Sequence, residues 1–130
     1  MTALKKPKIG EFYDREEISQ MFGGNRQSAL PFNNGDVVAG CFDPVLNPSA
    51  PEIVLVGRGR YKEKYAQRAT EQNTPIPIFL KRANREYRFV GYFRATRYSV
   101  NREEVEEKNN SPRYNDDIAG VLYFEKATTV

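Results

Sequence analysis

Tyr87-Arg88-Phe89-Val90-Gly91-Tyr92-Phe93-Arg94-Ala95-Thr96-Arg97-Tyr98-Ser99-Val100 is the longest run of strand-forming residues in the chain, and its length decides the fold class. Simple alternation puts Val90, Tyr92, Thr96 and Tyr98 on one face with Arg88 and Arg94. The other face then holds Phe89, Gly91, Phe93, Ala95 and Arg97. A strand this long is predicted to bend, and Gly91 is the predicted site of the bend.

Working outward, four shorter runs read as strands: 36–41 after a turn at Asn33-Asn34-Gly35, 53–56 (Ile53-Val54-Leu55-Val56), 78–82 behind Pro75 and Pro77, and 118–124. Two segments read as helices. Residues 14–22 carry Asp14 and Glu17 in capping-box spacing and stop at Gly23-Gly24, with Ile18, Met21 and Phe22 turned inward. Residues 61–72 place Tyr61, Tyr65 and Ala69 on one stripe, with Lys62, Lys64 and Arg68 elsewhere. Pro44, Pro48 and Pro51 exclude regular structure between the strands at 36–41 and 53–56. The strand-helix alternation of a doubly wound sheet is missing, so the expected fold is α+β: a curved, mostly antiparallel β-barrel with two flanking helices. The expected organisation is one domain over 10–126, with a flexible N-terminus at 1–9, a mobile acidic loop at 101–117 and a short tail at 127–130.

Composition narrows the function. With 130 residues, the chain suits one core. No run reaches the roughly 20 apolar residues of a membrane helix, so no membrane partner and a cytoplasmic or nuclear location are expected. The single Cys41 has no partner for an internal disulfide, and the absence of His closes the usual zinc sites and the Ser-His and Cys-His nucleophile pairs. No cofactor, no metal and no catalytic residue is expected; the Glu103, Glu104, Glu106 and Glu107 run reads as a solvated surface rather than an inward-facing magnesium site.

Charge is uneven along the chain. Between Arg58 and Arg97 there are 11 Lys or Arg against 3 Glu, a local excess of +8, whereas residues 101–130 carry an excess of acid. A basic middle suits a polyanion such as nucleic acid, and a solvated basic face explains the same residues. The expected backbone contacts are Arg58, Arg60, Lys62, Lys64, Arg88, Arg94 and Arg97, with Tyr92 and Tyr98 as an aromatic platform interleaved with the last three. Tyr61 and Tyr65 read as packing. Gly57-Arg58-Gly59 follows a strand and precedes a helix, but lacks the spacing of a phosphate loop or a dinucleotide fingerprint.

Gly10-Glu11-Phe12-Tyr13-Asp14-Arg15-Glu16-Glu17-Ile18, Phe22-Gly23-Gly24, Gly40-Cys41-Phe42-Asp43, Val56-Gly57-Arg58-Gly59, Pro77-Ile78-Phe79-Leu80 and Tyr87 to Phe93 occur in an order and spacing that resembles the SRA-like (PUA-like) domains of McrA-type modification-dependent restriction endonucleases. The resemblance covers about residues 10–100. It implies a PUA-like barrel that takes a 5-substituted cytosine out of the duplex, stacks it on aromatic rings and reads its edge with a carboxylate, at an extrusion cost of a few kcal/mol. By motif position the base pocket comprises Phe42 as stacking wall, Asp43 as base-edge acceptor, Leu55 where the family carries an aromatic, and Gly57 and Gly59 at the rim. Asp43 before Pro44 is equally a turn former, and Phe42 equally a core residue. The expected function is thus non-catalytic recognition of modified DNA, with any cleavage left to a separate nuclease or other effector protein. The alternatives are a PUA-like RNA- or ligand-binding module and a small protein-binding or inhibitory factor acting through the acidic loop.

Overall fold

The structure, a computed structural model, describes residues 6–127; the first five residues of the expected flexible N-terminus, and 128–130 of the expected tail, lie outside the described residues. In chain order the elements are β1 (Phe12–Tyr13), α1 (Arg15–Phe22), β2 (Phe32–Asn33), β3 (Asp36–Val37), β4 (Gly40–Phe42), β5 (Ile53–Gly57), α2 (Arg60–Gln72), β6 (Ile76–Ala83), β7 (Glu86–Ser99), α3 (Arg102–Lys108), a single 3-10 turn at Asn115–Asp117, and β8 (Ile118–Lys126).

Local chemistry explains most boundaries. Asp14 caps α1 by accepting from the Glu17 N–H at 2.8 Å, while the Glu17 carboxylate accepts from the Asp14 N–H at 2.9 Å, the reciprocal pair that the spacing predicts. β2 and β3 form a hairpin around Asn34 (φ 52) and Gly35 (φ 84), the two positive φ angles of a type I′ turn. Pro77 sits in β6 opposite Tyr92, one residue before β4 joins the sheet at Ile78, so proline occupies a stretch with one neighbour.

The main sheet has the order β4-β6-β7-β8-β5, with β1 added to β7. The β4–β6 ladder is parallel, and the β6–β7, β7–β8, β5–β8 and β1–β7 ladders are antiparallel. The path is open, ending on β4 and β5. The expected curved, mostly antiparallel barrel is therefore corrected to an open sheet of mixed strands, because the long connection from β4 through β5 and α2 returns the chain to β6 in the direction of β4. The helix count is corrected as well. Residues 102–108 of the expected acidic loop form α3, capped by Asn101 accepting from the Glu104 N–H at 3.0 Å and anchored by the fully buried Val105. One apolar side chain among four Glu is enough to hold a short helix when a hydrophobic face awaits it.

Three apolar clusters define the layers. On one face, Val54 and Val56 of β5, Ile76 and Ile78 of β6, Phe93 and Ala95 of β7, and Leu122 and Phe124 of β8 pack with Tyr65, Ala66 and Ala69 of α2. The opposite face is covered twice: by Ile18, Met21 and Phe22 of α1 over Cys41, Phe79 and Phe89, and by Val105 of α3 over Leu55, Ile118 and Val121. Bulges in β7 set these assignments. Val90 is the extra residue where Ile78 pairs with Gly91 but Phe79 pairs with Phe89, and Gly91 takes φ 119 there, a conformation open to glycine. The bend falls where the sequence predicts it, yet it also moves Phe89 and Phe93 to opposite faces, which simple alternation places together. A second bulge leaves Thr96 unpaired between Ala95 and Arg97.

Candidate nucleic-acid interface

The basic residues divide between two places. At the start of α2, Arg58, Arg60, Lys62 and Lys64 are exposed and ring the helix entry, where Gly59 caps the helix and donates its N–H to the Glu63 carboxylate at 3.2 Å. The Arg58 backbone N–H bonds to the Asp117 carbonyl at 3.3 Å and its Nε to the Asp116 carbonyl, tying this loop to the 3-10 turn. Aromatic rings back the rim: Phe32 stacks on Tyr65 at 4.0 Å and on Tyr61 at 6.1 Å, Arg60 lies over the Tyr61 ring at 5.1 Å, and Lys64 over Tyr65 at 5.4 Å. Tyr61 remains 55% exposed, more open than a packing residue needs to be.

Arg94 and Arg97 lie on the opposite face of the sheet. Arg97 is engaged within the chain: it meets Glu104 of α3 at 2.5 Å and covers the Tyr123 ring at 4.4 Å. The hydrogen bond from Arg97, then that from the Tyr123 hydroxyl, holds the Glu104 carboxyl down at about 2. Arg88 is exposed near the far end of β7, across from Phe12. Tyr92 packs beside Phe22 and Phe89 under α1, whereas Tyr98 packs on the α2 face. The two tyrosines that alternation puts on one face are thus on opposite faces, separated by the Thr96 bulge.

Tyr98 nonetheless has an unusual setting. Its ring lies against Gly120, where a Cβ would stand 2.7 Å from the ring, and its buried hydroxyl has no hydrogen-bond partner among the described residues. Burial raises the phenol's pKa, Glu63 raises it further and Arg58 opposes, which places the hydroxyl beside the α2 entry.

The residues expected at the base pocket are spread out. The Phe42 ring is 1% exposed in the main cluster, tilted against Phe124 at 6.0 Å. Asp43 is half-buried and closes an Asx turn, its Oδ1 accepting from the Val45 N–H at 2.9 Å while its carbonyl accepts from Leu46 and Asn47. Leu55 points to the α3 side, away from Phe42. Strand directions put Phe42 at the C-terminal end of β4 and Gly57 at the C-terminal end of the oppositely running β5, with Gly59 beyond it.

Two residues outside the sequence reading join the Asp43 turn to β5. The buried Asn47 accepts from the Leu55 N–H at 2.8 Å. Arg113 donates through NH2 to the Leu46 carbonyl at 2.6 Å and to the Leu55 carbonyl at 3.2 Å, and its buried Nε has no partner among the described residues. Burial lowers the proton affinity of this guanidinium, with Asp117 opposing. Neither residue carries a local signal beyond being polar in a Pro-rich or polar segment. Two open clefts lie elsewhere, one of about 570 Å³ lined by Glu16, Ser19, Asn25 and Arg26 and one of about 490 Å³ lined by Arg97, Glu104, Lys108 and Tyr123.

Among the described residues, no helix is long and apolar enough to cross a membrane. No protein-family model matches the chain, and no curated protein matches it. Solved structures do. The chain superposes on the SUVH5 SRA domain in complex with hemi-methylated CG DNA with a TM-score of 0.66 at 10% identity, covering 98% of this chain and 94% of that one. The same coverage holds for the SUVH5 SRA domain bound to fully hydroxymethylated CG DNA, with a TM-score of 0.64 at 10% identity, and for its methylated CHH DNA complex, with 0.64 at 11%. The chain has the SRA-like fold.

Proposed function

We propose that this domain binds DNA and recognises a modified base, a 5-substituted cytosine, by taking it out of the duplex, and that it catalyses no reaction. The observation that carries the reading is the SRA-like fold over nearly the whole chain, shared with domains bound to methylated and hydroxymethylated DNA. The exposed Arg58, Arg60, Lys62 and Lys64 at the α2 entry supply the phosphate-facing charge such a partner requires. Asp43 presents its second carboxylate oxygen as the base-edge acceptor, and Gly57 and Gly59 allow close approach of the backbone. Phe42 supports this wall from within the core, while Leu55 contributes through its backbone bonds to Asn47 and Arg113, which hold the Asp43 turn against β5. In this reading the base is received on the side of the Asp43 turn that faces the 57–59 loop. Stacking and hydrogen bonds there offset an extrusion cost of a few kcal/mol. A DNA partner places the domain in the cytoplasm or nucleus, and any strand cleavage belongs to a separate effector.

The test is fluorescence anisotropy with duplexes that differ only at one cytosine, left unmodified, methylated, hydroxymethylated or glucosylated, alongside a matched RNA. The expected result is preference for one modified duplex by tenfold or more. Equal affinity for all four duplexes refutes base reading, and tighter binding to RNA redirects the assignment to a PUA-like RNA module.

A further inference from the structure

Gly57 has a negative or extended φ, so its backbone does not require glycine, and a Cβ there would meet only ordinary contacts. What the missing side chain leaves is space, and two cations face it. The Lys62 Nζ stands 3.5 Å and the Arg113 NH1 3.9 Å from the point a Cβ would occupy. Neither Lys62 nor Arg113 forms an ion pair among the described residues, and none of their hydrogen bonds uses Nζ or NH1. Two like charges that converge on one point repel one another, and an anion between them relieves that repulsion. Their positions are fixed from opposite sides: Lys62 lies in the first turn of α2 with its stem along Gly59, and Arg113 is anchored by the Leu46 and Leu55 carbonyls. Of the acids nearby, Glu63 accepts from the Gly59 N–H, and Asp117 acts on Arg113 through space without forming an ion pair among the described residues.

We infer that Gly57, Lys62 and Arg113 form a phosphate-binding cradle, in which one phosphate group lies over the Cβ-free face of Gly57 and accepts hydrogen bonds from the ammonium and from the open edge of the guanidinium. A guanidinium and an ammonium converging on one oxyanion suit phosphate geometry, the first as a fork and the second as a point charge. Resting on the DNA-binding reading, the inference assigns that group to a phosphodiester of the bound duplex rather than to free phosphate. The cradle sits beside the Asp43 turn, through the Arg113 bridge to Leu46, so a phosphate held there fixes the backbone next to the entry of the proposed pocket.

The test uses the whole chain and an unmodified duplex, so it stands whether or not the domain prefers modified bases. Gly57→Ala fills the space without straining the backbone, and Lys62→Gln removes one charge. Each is expected to lower the slope of log affinity against log salt by about 1, the amount of one neutralised phosphate. The double variant is expected to lose no more than either single one, because both act on the same phosphate. In the wild type, titrated inorganic phosphate is expected to shift the backbone amide resonances of Gly57, Arg58 and Gly59, and in Gly57→Ala to leave them unmoved. The cradle is overturned if Gly57→Ala keeps the wild-type slope, if the double variant loses about 2, or if inorganic phosphate shifts these amides while neither single variant changes duplex binding. The last of these identifies a site for free phosphate.

Discussion

Asp43→Asn separates a base reader from a turn former, because the structure shows what the turn uses. The turn needs one acceptor, Oδ1, for the Val45 N–H at 2.9 Å, plus the backbone carbonyl for Leu46 and Asn47. An asparagine keeps both, so stability should change by no more than about 0.5 kcal/mol. The remaining oxygen becomes an amide N–H₂. Against the N4 amine of a cytosine this sets donor against donor, and flipping the amide would surrender Val45 instead. The loss is that of one charge-assisted hydrogen bond, about 1–3 kcal/mol, or roughly 5- to 150-fold in affinity. The sharpest comparison is 5-methylcytosine against thymine at the target position, since the two share the methyl group and differ in an amine against a carbonyl. The wild type should prefer 5-methylcytosine, and Asp43→Asn should reduce or invert that preference while urea unfolding stays at the wild-type midpoint. Unchanged discrimination in a variant of unchanged stability would falsify the base-edge role and leave Asp43 as a turn residue alone.

Other consequences test the packing. Phe42→Ala removes a ring that is 1% exposed, so it should cost about 3–5 kcal/mol in denaturant unfolding; a cost below about 1 kcal/mol means the ring is not core. The Glu104 carboxyl is depressed from 4.5 to about 2, so its pairing stabilises the fold above the unfolded value and fades as pH falls through the folded one. Thermal melts of Glu104→Gln should therefore fall less steeply than those of the wild type between about pH 5 and pH 2, and parallel curves contradict the pairing. Burial pushes the Cys41 thiol up to about 12, so iodoacetamide at pH 8 should leave it unmodified in the native protein and label it fully in urea.

Much of the fold is written in short-range signals. The Asp14–Glu17 box, the Asn34-Gly35 turn, the apolar run at 53–56 and the bend at Gly91 act over a few residues, and each appears where its chemistry dictates. The long-range features escape such reading. Parallel pairing of β4 with β6 is a choice among partners that no local pattern records. α3 shows the same limit from the energetic side: its four Glu read as solvated loop, and only the presence of Leu55, Ile118 and Val121 from distant strands makes Val105 an anchor.

The site was legible to the extent that it depends on composition rather than on facing. Clustering of Arg58, Arg60, Lys62 and Lys64 survives any register, because the four sit at one helix entry. A shared face for Tyr92, Arg94 and Tyr98 requires uninterrupted alternation over the length of β7, and a bulge at Thr96 moves residues past it to the other face. The same bulge lets Arg97 reach Tyr123 and Glu104, which removes its charge from any partner. Arg113 is the converse case. Sequence places it in an acid-rich segment with no motif, yet it crosses the gap between the Asp43 turn and β5, where backbone carbonyls hold it and the space beside Gly57 leaves one of its edges open. Carbonyl anchors orient a guanidinium without neutralising it, so the charge at this gap stays available, and the proposed phosphate cradle draws on a residue that composition assigned to the acidic end.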